Sequence, residues 1–525
     1  MSVPGALSKS SAVSPSTPRV DRRALVVLLL LFAASLPAVT PRIYASDEIE
    51  YYAFLRSLWF DRDFSFENEY RHFYEAGIAK SPGFHETFLE RTTATGLRVN
   101  FGTIGPALLW APFFAAGDGV ARAMRALGAP VAVDGFSFPY VASVCYGSAF
   151  YGMAALLISM IIAVRLAAGR DGGRVPRLRQ MAAPLAIWLG TPLFFYMYVA
   201  PPMSHAASAF AVAAFVFAWL RVRRTWSARG LAVLGALAAL MSMVREQDFF
   251  FVAGPALDFA WTLATGPGPA PVLGDAAGTR RPGRRLRLVA NAAAGCAAYA
   301  VAYLPQAAAY LALNGRLWPS ELVTRKMNWL APHALQVLAS PEHGFLVWTP
   351  LAFFALGGLT AAFAWRRQRS APAGPADGPS TPIRQSGNLP DDLPRIAACM
   401  LLMVILQVYV AGSVESWTVA GAFGQRRFVA LTVVLVVGLA VLIEMARGLR
   451  WRWPLAALLA VSVWWNVGLI VQFGAGLMDR QRLEPARNAY TNFVVLPRML
   501  PDYAYRYLVE RESFYRGPAV SAPPR

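Results

Sequence analysis

FVALTVVLVVGLAVLIEM, residues 428–445, is a run of eighteen residues whose one charge, Glu444, stands next to its end. Coiled as a helix at 1.5 Å per residue it covers about 27 Å, close to the ~30 Å hydrocarbon core of a bilayer. Ten more apolar runs of comparable length lie at 24–39, 139–164, 181–199, 206–220, 231–244, 249–264, 288–313, 345–365, 396–411 and 454–473. The expected fold class is therefore an all-α integral membrane protein, a polytopic helical bundle of about eleven transmembrane helices.

Composition agrees. Of 525 residues 56% are hydrophobic and 15% charged, against about a quarter charged in soluble domains, and the mean hydropathy is +0.41. A water-soluble enzyme is excluded on this reading. The net charge of +19 would suit nucleic acid if it formed one face, but the arginines sit in short clusters between apolar runs, so no nucleic-acid partner is expected. Cys145, Cys296 and Cys399 each fall inside an apolar run without a CxxC, which predicts buried free thiols and no disulfide framework. No small-residue cleavage site follows the first run, so it reads as a retained span.

Basic residues in short loops stay cytoplasmic. With the amino terminus inside, the arginine-bearing segments 165–179, 221–229, 281–287, 366–369 and 447–452 all fall inside. IGPALLWAPFFAA (104–116) is apolar as well, but counting it as a span would invert that parity; it reads as a helix on or dipping into the outer interface, anchored by Trp110. The organisation is then a cytoplasmic tail (1–23), a bundle (24–369) with outer loops at 41–103 and 314–343, a Pro/Gly/Ser-rich cytoplasmic linker (370–394), final spans (395–473) and an extracytoplasmic tail (474–525).

Polar residues gather on the outer side of this threading. SDEIEYY (46–52) places Asp47 and Glu48 just past the first span, and Ile49, Tyr52, Phe54, Leu55, Leu58 and Trp59 recur at helical spacing, which predicts an amphipathic helix along the membrane surface. The acidic pair also suits a helix amino terminus through the macrodipole alone. GAFGQRRF (421–428) puts Gln425, Arg426 and Arg427 outside, against the positive-inside preference; paired guanidiniums suit a phosphate, a lipid headgroup being the plainer alternative. In MSMVREQDFF (241–250) Arg245, Glu246, Gln247 and Asp248 fill a short turn between spans, either facing a wet cavity or closing on themselves as an Arg245–Asp248 pair. All five histidines fall on the outer side; His205, with Glu342 and His343 in SPEHGF, joins Asp248 as candidates for donor or acceptor contacts. No metal-like spacing is present.

In order along the chain, SDEIEYY, GLRVNFGTIGPALLWAPFF, SPEHGFLVWTPL and GAFGQRRF resemble segments of the GT-C superfamily of membrane glycosyltransferases, which includes protein O-mannosyltransferases and lipid A aminoarabinose transferases. The resemblance implies a GT-C-like bundle with juxtamembrane helices in the first outer loop, in the inner (cytoplasmic) membrane. It implies transfer of a sugar from a polyprenyl-phosphate carrier to a hydroxyl acceptor in the cell envelope, on the extracytoplasmic face and with inversion. Asp47 would be the general base, with Glu48 beside it where some relatives carry a second aspartate. Gln425, Arg426, Arg427 and Arg245 would hold the departing lipid phosphate. No cofactor is expected, although some members of the superfamily use a divalent cation. The alternatives are a polyprenyl-lipid transporter or flippase and a non-catalytic lipid-binding protein.

Overall fold

The computed structural model describes residues 20–167, 175–265, 283–369, 392–419 and 421–514. Most of the expected linker (370–394), most of the amino-terminal tail and the last eleven residues lie outside them, as do 168–174 and 281–282 of the arginine-bearing segments 165–179 and 281–287. Among the described residues the secondary structure is helical, with isolated bridges at Thr92–Arg98 and Met327–Val414 and no strand.

The main helices are α1 (Arg22–Ser35), α2 (Ser46–Arg56), α3 (Gly105–Ala126), α4 (Phe138–Ala167), α5 (Arg177–Leu189), α6 (His205–Val222), α7 (Ala228–Val244), α8 (Ala253–Thr265), α9 (Arg284–Ala302), α10 (Leu304–Asn314), α11 (Leu351–Arg369), α12 (Leu393–Ser413), α13 (Thr432–Met445), α14 (Arg452–Gly474) and α15 (Leu496–Val509). Among the described residues five helices are long and apolar enough to cross a bilayer: α4, α6, α12, the continuous run Arg426–Gly448 containing α13, and α14. The α9–α10 pair, bent by 45° at Tyr303, makes a sixth if taken as one span. The chain is thus a helical membrane protein. The other expected spans are shorter or interrupted. The run 181–199 breaks at Gly190–Pro192, and 249–264 begins as a 3₁₀ turn at Glu246–Val252 before α8. In 345–365 Pro350 separates a single turn from α11. Prolines and the glycine do this by removing backbone donors and widening the allowed dihedrals.

Helices approach most closely where side chains vanish. A Cβ on Gly438 of α13 would lie 2.1 Å from the Ala355 carbonyl of α11, and one on Gly235 of α7 would lie 2.0 Å from the Gly295 carbonyl of α9. Backbone contact of this kind replaces the hydrophobic drive that lipid does not supply. Three helices are tied by buried charge instead. Asp258 of α8, fully buried, accepts from Trp219 Nε1 of α6 (2.9 Å) and from Nε of Arg223, which caps that helix (2.8 Å), and Arg395 Nε of α12 lies 2.5 Å from its other oxygen. Removing the one carboxylate leaves Arg395 with no carboxylate partner among the described residues and Arg223 with Asp392 alone. Asp258→Ala is expected to cost about 3–5 kcal/mol, read as a lowered unfolding midpoint in detergent; an unchanged midpoint would refute the role given to this network.

Two local expectations are corrected. Trp110 is not an interfacial anchor but is fully buried in a cluster with Phe114, Tyr140 and Tyr52, because α3 runs as a helix of 22 residues packed along α4 and α2. Nor is α2 two-faced: Ile49, Tyr52 and Phe54 are buried, and so are Glu48 and Glu50 on the remaining side, since α3 and the rest of the first loop enclose it. Cys145 and Cys399 are buried as expected, whereas Cys296 is exposed on α9, a helix with little buried surface.

Candidate active site

Helix α2 starts without a side-chain acceptor at its cap, since Ala45 stands there. Glu48, three residues on, turns back to accept from the Tyr44 and Ala45 amides (2.8 and 3.1 Å). That satisfies donors which every helix start leaves open. Its second oxygen has no partner among the described residues, and burial pushes its pKa up to about 8. Glu50 accepts from the Phe101 amide at 2.6 Å and is likewise raised to about 8, by burial and then by the Asp47 charge. Asp47 alone of the three turns outward, its side chain 39% exposed, and its Oδ2 meets Arg426 Nη1 at 2.5 Å. That guanidinium holds the carboxyl below its ordinary value, outweighing desolvation. One ionised carboxylate therefore stands beside two that keep their protons near neutrality.

The raised pair makes stability depend on pH in a definite direction. Folded Glu48 and Glu50 hold protons up to about pH 8, while unfolded they release them near 4.5, so their contribution is complete below 4.5 and declines as pH rises through 8. The Glu48→Gln, Glu50→Gln double variant is expected to flatten the fall of the melting temperature across that window. An unaltered slope would show that these carboxyls ionise freely in the fold.

Arg426 opens the helical run of α13 two residues after Gly424, whose φ of +57° is left-handed. Gln425, expected to touch phosphate, is fully buried and donates instead to Trp417 O (3.1 Å) and His343 O (3.4 Å). Arg427 turns to the Ser416 carbonyl (2.9 Å) and hydroxyl (3.3 Å). Arg245 lies on the far side of Arg426, with Nη1 3.5 Å from the Arg426 carbonyl and 2.9 Å from His205 Nδ1. A guanidinium only donates, so His205 Nδ1 is the accepting nitrogen. Arg245 and Asp248 do not close on each other: Asp248 accepts from Ser208 Oγ at 2.5 Å, while Arg245 reaches Gln247 Oε1 (3.3 Å). Among the described residues Arg245 and Arg427 have no carboxylate within ion-pair distance, and both act electrostatically on Asp47. Glu342 donates its backbone N–H to Ser340 Oγ (3.0 Å), and His343 donates from Nε2 to Ala422 O (2.8 Å).

Asp47 and Arg426 sit in the wall of a cavity of about 750 Å³. Its other walls are Phe195 and Tyr196 after α5, Phe423 in the loop before α13, Phe473 at the end of α14, and Tyr503 and Tyr507 of α15. Helix α15 is pinned over the cavity by Tyr507, whose hydroxyl bonds Thr40 Oγ1 and donates to Ala38 O (both 3.0 Å), and by Arg511, which reaches the Val39 and Pro37 carbonyls (2.5 and 2.6 Å). Comparison with protein-family models, curated proteins and solved structures finds no match. What the chain does is argued from these residues.

Of the sequence-derived candidates, Asp47 and Arg426 line the cavity; Glu48, Gln425, Arg427, Arg245, Asp248, His205, Glu342 and His343 do not. Arg42, Arg480, Glu50 and the α15 wall were not foreseen. The last had a signal: Leu500, Tyr503, Ala504, Tyr507 and Leu508 recur at intervals of three and four, one face of a helix.

Proposed function

We propose that this chain is a membrane glycosyltransferase of GT-C-like arrangement, with about eleven membrane crossings and a cytoplasmic amino terminus, moving a sugar from a polyprenyl-phosphate carrier to an envelope hydroxyl on the extracytoplasmic side. The observation that carries this reading is the Asp47–Arg426 pair in the wall of an aromatic-lined cavity in a membrane protein. The apolar lining suits an isoprenoid chain and the guanidinium suits its phosphate.

In the reaction the acceptor oxygen attacks the anomeric carbon opposite the phosphate, Asp47 takes its proton, and the bond from the anomeric carbon to the phosphate oxygen breaks with both electrons leaving on the lipid phosphate. That phosphate goes from one negative charge to two. Arg426, with Arg245 and Arg427 behind it, offers more positive charge than the single ionised Asp47 neutralises, so the site favours the departing dianion over the donor diester. The ion pair adds an order to events: a phosphate arriving at Arg426 competes with Asp47, and a carboxylate released from its guanidinium is a stronger base. A transporter reading would place ionisable groups near mid-membrane. The large buried network around Asp258 lies instead near Arg223 at the end of α6, the opposite end from His205 and the cavity.

The test is reconstitution in liposomes with labelled polyprenyl-phosphate sugars and envelope fractions as acceptors. Transfer of label with release of polyprenyl phosphate is expected. If a strain lacking the chain shows the same envelope glycans and glycoproteins by mass spectrometry, the proposal fails.

A further inference from the structure

Two arginines that line the cavity come from separate loops: Arg426 ends the stretch 417–426, and Arg480 belongs to the loop after α14. The Arg480 guanidinium lies 4.9 Å over the Phe473 ring, and among the described residues no carboxylate is within ion-pair distance of it. Between the two loops stands His343. Its Nε2 donates to the Ala422 carbonyl at 2.8 Å and its own carbonyl receives Gln425 Nε2 at 3.4 Å, while its Nδ1 has no partner among the described residues. The imidazole stacks on Trp348 (centroids 4.7 Å apart, planes at 11°), whose Nε1 donates to Pro341 O at 3.0 Å. The Arg480 loop is anchored to the same short segment by Leu483 N to Pro341 O, 3.0 Å.

The backbone here is held in sparsely populated conformations. His343 has a φ of +65° and Val419 one of +53°, in the left-handed region that side-chain-bearing residues rarely adopt. Such geometry persists only where the surroundings over-determine it, and it gathers at functional sites. His343 is fully buried and does not line the cavity, although Ala422, which it holds, does. Its role is therefore not contact with a ligand.

Resting on the cavity being a lipid-phosphate site, we propose that His343 is a positioning residue: its imidazole holds the Arg426 loop to the 341–343 segment, which the Pro341 carbonyl in turn ties to the Arg480 loop through Leu483 N, so that the two guanidiniums form one clamp for the phosphate of a lipid whose chain fills the aromatic cavity. Arg480 becomes a second phosphate-binding residue.

The test uses the full-length protein in detergent micelles, with farnesyl phosphate as probe and farnesol as its uncharged control. His343→Phe keeps the stack on Trp348 and loses the N–H donor; His343→Asn suits the left-handed backbone but is too short to reach Ala422 O; His343→Gln can return an amide N–H to that carbonyl. Phe and Asn are expected to weaken farnesyl phosphate about tenfold, the size of one charge-assisted hydrogen bond, with farnesol affinity unchanged and Gln within about threefold of native. Arg480→Ala is expected to match the Phe variant. Should the Phe variant not fold, the Asn variant carries the same comparison. Native farnesyl phosphate affinity in the His343 variants, alongside weakened binding in Arg426→Ala, overturns the staple and leaves the cavity reading standing. Equal loss for farnesol also overturns it, since that reports collapse of the cavity. Native affinity in Arg426→Ala removes the underlying reading instead.

Discussion

Sugar transfer from a polyprenyl-phosphate donor is expected to fall by about 10²–10⁴-fold in Asp47→Asn, the usual worth of a positioned general base, while affinity for the lipid phosphate holds or rises. The amide matches the carboxylate in shape, so the start of α2, capped by Glu48, has no reason to move. What disappears is the capacity to accept a proton and the charge that occupies Arg426 at 2.5 Å. The first loss slows the chemistry; the second frees the guanidinium for phosphate. Opposite movement of turnover and affinity separates this from misfolding, which lowers both. Full transfer in proteoliposomes carrying the variant would sink the assignment of Asp47 as base.

Arg426→Ala is the counterpart, with both quantities falling. Binding of the lipid phosphate is expected to weaken by about 10–100-fold, in line with truncating one partner of a charge-assisted pair, and transfer to drop about 10²–10³-fold, because the phosphate gains charge as it leaves. The substitution also leaves Asp47 without its counter-ion. Combining it with Asp47→Asn should therefore cost less than the sum of the two, as coupled neighbours do. Titration calorimetry in micelles reads the affinities. Native binding in the alanine variant would remove the phosphate from this part of the cavity.

The sequence carried the class of fold and part of the site, for reasons visible in particular residues. Apolar runs such as 428–445 and 139–164 became long helices because nothing within them interrupts the hydrogen-bond ladder. Runs containing Gly190 and Pro192, or Pro350, broke, and hydropathy summed over a window does not register where a backbone donor is missing. Asp47 and Arg426 stood out because each was an ionisable group at the edge of an apolar run. Their meeting was not readable, since it depends on how the bundle closes. Gln425 and Glu48 stand outside the cavity lining for a local reason: both satisfy buried backbone groups, a demand that is equally silent in a string of letters.

The ion pair joins residues 379 positions apart. At a synthesis rate of about 5–20 residues per second, the carboxylate leaves the ribosome roughly 20–75 s before the guanidinium that completes it. Through that interval the first loop and α2 exist without their counter-charge, and the cavity lacks the walls supplied by α14 and α15, which follow Arg426 in the chain. A chain arrested before α14 would thus carry Asp47 without the cavity walls that α14 and α15 supply.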